Sequence, residues 1–232
     1  MNAQERLQAG KTATHKGRFE EALSQFVWFH EHALEEDRAY YGVRLSFALG
    51  YWLELAEQYP PALAAFRARR DDKLARLSVD ELDRDLFHDI EAMNRGLGED
   101  ERTAELFAVL DEHHPEFARQ CAGIAVSALV RVKRFTLAAK YMPEPLPKIL
   151  SLADKTTREV GEISARPRTK EPRYLVRVRV FAAELLQFEE ILHATESAES
   201  AAQLRLQALT ALKPAYLRNA VAKLLAQSPV PR

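Results

Sequence analysis

A small residue, a second small residue twelve positions on and a phenylalanine four further occur twice in this chain, as Gly10, Ala22 and Phe26 and again as Gly50, Ala62 and Phe66. Two antiparallel helices approach closely only where both offer small side chains, and an aromatic ring one turn later fills the space beside the crossing. The periodicity around each triplet supports that reading. Leu7, Gly10 and Thr14 keep helical spacing over residues 3–15, Gly17 breaks the run, and Phe19, Ala22, Phe26 and Phe29 form one apolar face of the next helix. Val43, Phe47, Gly50 and Leu53 predict a continuous helix from Tyr40 to Gln58. Pro60 and Pro61 then open its partner, Ala62 to Arg76, because a first-turn proline lacks only an N–H that the helix does not use.

Weaker copies follow. Ser78-Val-Asp-Glu81 reads as a capping box for a helix from about Val79 to Arg95, which Gly96-Leu-Gly98 ends. Ala104 and Ala108 stand where Ala62 and Phe66 stood, with Leu106, Phe107 and Leu110 supplying bulk, Ala92 in place of the glycine and the packing phenylalanine displaced by one. A fourth unit runs from Glu116 to Met142, with Phe135, Ala138 and Met142 at the marker positions. The pattern resembles the tetratricopeptide repeat, a helix-turn-helix unit of roughly 34 residues. That resemblance implies an all-α protein in which residues 1–142 form a tetratricopeptide-like α-α superhelix. Pro143-Glu-Pro-Leu-Pro147 interrupts the array, and 143–232 is expected to be a C-terminal helical block with a polar, basic loop near 161–173. Within that block the spacing predicts helices over 148–160, about 172–194, 197–212 and 214–227.

In such an array the first helix of each hairpin lines a concave wall. Carried onto this sequence, the resemblance puts Gln4, Leu7, Lys11 and Thr14 of the first unit on that wall, and Arg44, Phe47, Tyr51 and Glu54 of the second. Leu86, Asp89 and Met93 of the third and Gln120, Ser127 and Arg131 of the fourth follow. It implies a non-catalytic adaptor or scaffold for a protein or peptide segment, with Lys11, Arg44, Phe47, Tyr51 and Glu54 as partner contacts. Arg44 would fix an acidic group, and Phe47 or Tyr51 would hold an apolar anchor. The lysine-asparagine clamp of the chaperone-tail class is matched only by Lys11.

Composition narrows the alternatives. A chain of 232 residues buries enough surface to fold without disulfides, and its lone Cys121 has no internal partner, as expected in the cytoplasm. Neither a signal peptide nor an apolar run of membrane-spanning length is present in the sequence, so no membrane partner is expected. The net charge of -1 conceals a polarity: residues 1–130 hold 15 basic against 24 acidic side chains, whereas 131–180 hold 13 against 5. Neutralisation within the fold is one account of this. The alternative is a nucleic acid or acidic partner bound by Arg166, Arg168, Lys170, Arg173, Arg177 and Arg179, with Tyr174 stacking.

No catalytic residue, metal or cofactor is expected. His30 and His32 are two apart and point to different sides of a helix, and His113-His114 is no better placed. Cys121 sits in an apolar run, where a thiol is inert. Gly96-Leu-Gly98 is too short for a phosphate loop. An enzyme with a site of unfamiliar form is the second alternative.

Overall fold

The computed structural model describes residues 1–78, 82–164 and 174–227, and among them every regular element is helical. The chain separates into two compact units, Met1–Ala128 and Leu129–Arg232. That division falls within a helix, upstream of the proline run at 143–147 where the sequence suggests a boundary. The fourth expected hairpin therefore spans it.

The first unit opens with α1, Ala3–His15, whose start is fixed by Asn2: its side chain accepts from the Glu5 N–H at 2.9 Å while the Glu5 carboxylate accepts from the Asn2 N–H at 3.0 Å. Gly17 then adopts φ +69°, a left-handed turn that any Cβ would strain, and the chain reverses into α2, Phe19–Glu36. Ala22 and Phe26 are buried here, and a Cβ built on Gly10 would lie 2.6 Å from the Phe26 ring. At this hairpin the small-residue argument holds atom by atom.

The second hairpin is built differently. The expected helix from Tyr40 to Gln58 is broken: after a short turn at Arg38–Tyr40, α3 covers only Tyr41–Arg44, and α4 starts afresh at Phe47 and runs to Gln58. Ser46 sits at φ −131°, ψ −89°, outside the helical region, and its hydroxyl donates to the Gly42 carbonyl at 2.6 Å. A serine that bonds its own backbone competes with helix continuation in this way. Gly50 is exposed on α4, with nothing near the position of its missing Cβ, so it permits no close approach. Trp52 takes that role. Its indole N–H donates to the Ala62 carbonyl on α5, Pro60–Ser78, at 3.0 Å, and its ring meets Phe66 edge-on at 5.3 Å.

Ser78 is the last residue of α5, and residues 79–81 of the expected capping box lie outside the described residues. The helix after it, α6, starts at Arg84 and ends at Leu97; Asp83 caps it by accepting from the Asp85 N–H. Nearly all of α6 from Leu86 to Asn94 is buried, and Gly98 closes it at φ +70°. Its partner α7, Asp100–His113, buries Ala104 and sets Phe107 against Phe87 at 6.2 Å, while Ala108 is exposed. The packing phenylalanine of the third unit is therefore Phe107, displaced by one as the sequence suggests. Helix α8, Pro115–Arg131, buries Cys121.

The second unit contains α9, Phe135–Tyr141; α10, Pro145–Ser164; α11, Tyr174–Thr195; α12, Ala198–Ala211; and α13, Ala215–Gln227. The prolines interrupt the chain only at 142–144, because Pro145 and Pro147 occupy the first turn of α10. Tyr174–Val180, whose alternation reads locally like a strand, is helical. Helix α11 is central, packing Phe181, Leu185 and Leu192 among Ile149, Leu204 and Val221 of its neighbours. Glu189 on α11 is buried and held by a two-pronged ion pair from Arg205.

Candidate functional site

Lys11, Arg44, Phe47, Tyr51 and Glu54, expected together as partner contacts, divide between two places in the first unit. Phe47, Tyr51 and Glu54 lie along α4 beside a cleft of about 580 Å3 that α4 and α6 form together, with Leu53 and Arg95 in its lining. Gly96 on α6 lets Leu53 of α4 lie close, since a Cβ there would be 2.9 Å from Leu53 Cδ1. Phe47 is 64% exposed, the large side chain most nearly free of protein contacts in this region. Lys11 of α1 joins the group by placing its ammonium 4.2 Å from the centre of the Tyr51 ring.

Arg44 does not face this cleft. It is 4% exposed, and its guanidinium makes a two-pronged pair with Asp89 of α6 at 2.9 and 2.5 Å, with a longer contact of 3.4 Å to the His30 carbonyl. Lys73 of α5 donates to the same carboxylate at 2.6 Å. The break at Leu45–Ser46 is the cause: on a single helix Arg44 and Phe47 would share a face, but the interruption turns one inward and leaves the other outside. Leu86, Asp89 and Met93 are likewise buried rather than on a wall, because α6 is covered on almost every side.

Around this centre the electrostatics follow from burial. Desolvation would raise the Asp89 carboxyl, but hydrogen bonds and charge from Arg44, with Lys73 beyond, overcome that and hold it below the ordinary value. His30 is 2% exposed, meets Trp52 edge-on at 6.1 Å, and has no protein hydrogen-bond partner on either ring nitrogen. Burial first, and then the charges of Arg44 and Lys73, push its pKa down to about 3, against the pull of Asp89, so the ring is neutral. Tyr41 donates to Asp85 at 3.0 Å and meets His88 Nδ1 at 2.9 Å; burial, then the Asp85 bond, raises its hydroxyl to about 12. Arg70, also buried, is satisfied by Asn94, Glu99 and Asp71. The sequence places Asp89 among the wall residues, but α6 mixes acids and bases with its apolar residues and gives no sign that this one is buried; His30 carried no signal beyond a cluster of aromatic neighbours.

Helical periodicity does not bring His30 and His32 together: His32 is at the surface, paired with Glu35 at 3.1 Å and tilted against Trp28. Among the described residues no group of three or more metal-ligating side chains converges. Burial raises the Cys121 thiol to about 12. In the second unit, Arg166, Arg168, Lys170 and Arg173 lie outside the described residues. Arg177 pairs with Glu159 at 3.0 Å, and Tyr174 packs edge-on against Tyr216 at 5.9 Å rather than standing clear to stack on a base. No described helix is long and apolar enough to cross a membrane. No known protein family, curated protein or solved structure matches the chain.

Proposed function

We propose that the chain is a non-catalytic adaptor of tetratricopeptide-like hairpins, acting in the cytoplasm, whose first unit captures an extended protein segment in the cleft between α4 and α6. The exposure of Phe47 at the mouth of that cleft carries the reading. A solvated phenylalanine forgoes roughly 1.5–3 kcal/mol of burial, which a partner's apolar side chain laid across Phe47 and Leu53 would recover. The flanking charges, Glu54 and Arg95 on the cleft and Lys11 over Tyr51, would set the segment's polar positions. Helices on both sides supply a wall that needs little ordering on binding. Arg44 takes no part, since it is committed to Asp89.

Peptides selected from a random library against the whole protein test this. Those recovered should bind Phe47→Ala at least about tenfold more weakly, the loss of one anchoring side chain, with the melting temperature unchanged. Peptides that bind Phe47→Ala as tightly as the parent refute the cleft as the binding surface.

A further inference from the structure

Gly50 stands in the middle of an exposed helix face, and nothing in its own chain asks for a glycine there. Helix α4 runs from Phe47 to Gln58, Gly50 is exposed on it, and a Cβ built on Gly50 would meet no atom within 4 Å. Glycine is a poor helix former, and inside a helix its use is to let another backbone approach closely. Within about one turn of it stand the exposed Phe47, the half-buried Tyr51 and the exposed Glu54. We infer that this face of α4 docks a second copy of the chain, the two α4 helices crossing antiparallel about a two-fold axis between Gly50 and Tyr51. The inference rests on the reading of the α4–α6 cleft as a binding surface, and makes a second copy the occupant that closes it when no peptide is bound.

What singles out a second copy is that the face complements itself. A two-fold axis brings one patch against the same patch, so every feature must find its complement on an identical surface. Where antiparallel helices cross at the midpoint of Gly50 and Tyr51, Tyr51 of each copy comes over Gly50 of the other. The ring fills the space that the absent side chain leaves. Phe47 and Glu54 lie equally far from that midpoint, so the Phe47 ring of one copy comes beside Glu54 of the other and reaches Leu53 at the edge of its cleft. Bare backbone thus receives one ring, and the solvated ring gains an apolar bed.

Charge meets the same condition. Among the described residues Glu54 has no ion-pair or hydrogen-bond partner. Arg95 of α6 sits at the other end of the cleft, beside the start of α4. Its guanidinium makes only long contacts, 3.4 Å to the Leu45 carbonyl and 3.6 Å to Glu91, and its side chain is 47% exposed. An antiparallel crossing carries Glu54 of one copy to the Phe47 end of the other, and so to its Arg95, twice about the axis. Lys11, held over the Tyr51 ring, adds positive charge to the surface that receives the carboxylate. A parallel pairing would set Glu54 against Glu54, which electrostatics disfavours.

Three turns of helix make a small contact, of the size found in weak, reversible complexes. The test is therefore sedimentation equilibrium of the whole protein over about 1–500 µM, a range that covers micromolar and weaker Kd values. The mass should rise with concentration from 26.4 kDa towards twice that value. Gly50→Leu should leave helicity and the melting temperature of the diluted protein unchanged, and weaken self-association by at least about tenfold. Glu54→Arg alone should do the same by bringing two cations together. Mixed with Arg95→Glu it should associate again, because every basic side chain at position 54 or 95 then faces an acid on the other chain. Arg95→Glu places an acid beside the buried Glu91; should it fail to melt cooperatively, Gly50→Leu decides alone. The inference is overturned by a parent protein that stays monomeric throughout, or by Gly50→Leu associating as the parent does. Folded single variants whose mixture associates no better than either alone overturn it as well. Peptide capture is read on Phe47→Ala with selected peptides, so a monomeric parent leaves that reading standing.

Discussion

Asp89→Ala removes an acid that pairs with two cations in the interior of the first unit. Arg44 and Asp89 each have side chains only 5% exposed, and Lys73 is 15% exposed. Deleting one partner of a buried ion pair leaves the other charge stranded in a medium that solvates it poorly, at a cost of about 3–5 kcal/mol. Lys73 adds less, being nearer to solvent. Set against a total stability of roughly 5–15 kcal/mol for a typical domain, the loss is a large fraction of what holds the unit together. Both tryptophans of the chain, Trp28 and Trp52, belong to the first unit, so urea unfolding followed by tryptophan fluorescence at pH 7 reads that unit selectively. Arg44→Met combined with Asp89→Leu removes that pair together and leaves only the more exposed Lys73, so it should regain most of the loss, and with Arg44→Met and Asp89→Leu as the singles the double-mutant cycle should give a coupling of at least about 2 kcal/mol. If Asp89→Ala costs less than about 1 kcal/mol, or if the double variant is as unstable as the two singles added, Arg44 is not a buried structural cation and the reasoning fails.

Two further outcomes follow from the same interior. Gly10→Ala drives a methyl into the Phe26 ring and should destabilise the first unit by about 1–3 kcal/mol, whereas Gly50→Ala meets nothing and should stabilise it by up to about 1 kcal/mol; equal effects in urea titrations would contradict the packing described. His30 has its folded pKa lowered to about 3 from 6.5, so the unfolded chain takes up the proton first. Its neutral burial costs nothing above pH 6.5 and then removes stability progressively as pH falls from 6.5 towards 3. Asp89, also depressed in the fold, adds its own loss only below the ordinary carboxylate range. His30→Phe should therefore flatten the stability profile between about pH 6.5 and 4.5, and a variant whose profile matches the parent's over that window would exclude His30 as the cause.

Much of the helical plan is legible in the residues. Helix α1 spans residues 3–15 as its spacing predicts, Gly17 turns the chain, and Ala22 and Ala62 are fully buried. These features are local: a helix face, a capping side chain and a left-handed turn each depend on residues within one or two turns. The site was legible only in part. Phe47, Tyr51 and Glu54 line one cleft, but Arg44 was assigned to the same face by assuming one helix through Ser46. The hydrophobic rhythm continues across that break, so periodicity gives no warning of it. Gly50 misled for a related reason: spacing equates it with Gly10, yet whether a small residue is needed depends on what lies opposite, and on α4 Trp52 closes the crossing.

By itself, then, the sequence determined that this chain is helical, where most of the helices begin and end, and which alanines lie inside. The three-dimensional packing alone decided that Arg44 and Asp89, 45 residues apart, and Lys73 between them would meet, and that His30 would be enclosed beside them with its nitrogens unengaged. Periodicity orients a side chain only with respect to the axis of its own helix. Which charge lies across from it is fixed when helices from distant parts of the chain come together, and that placement sets the field, the pairing and the cavity.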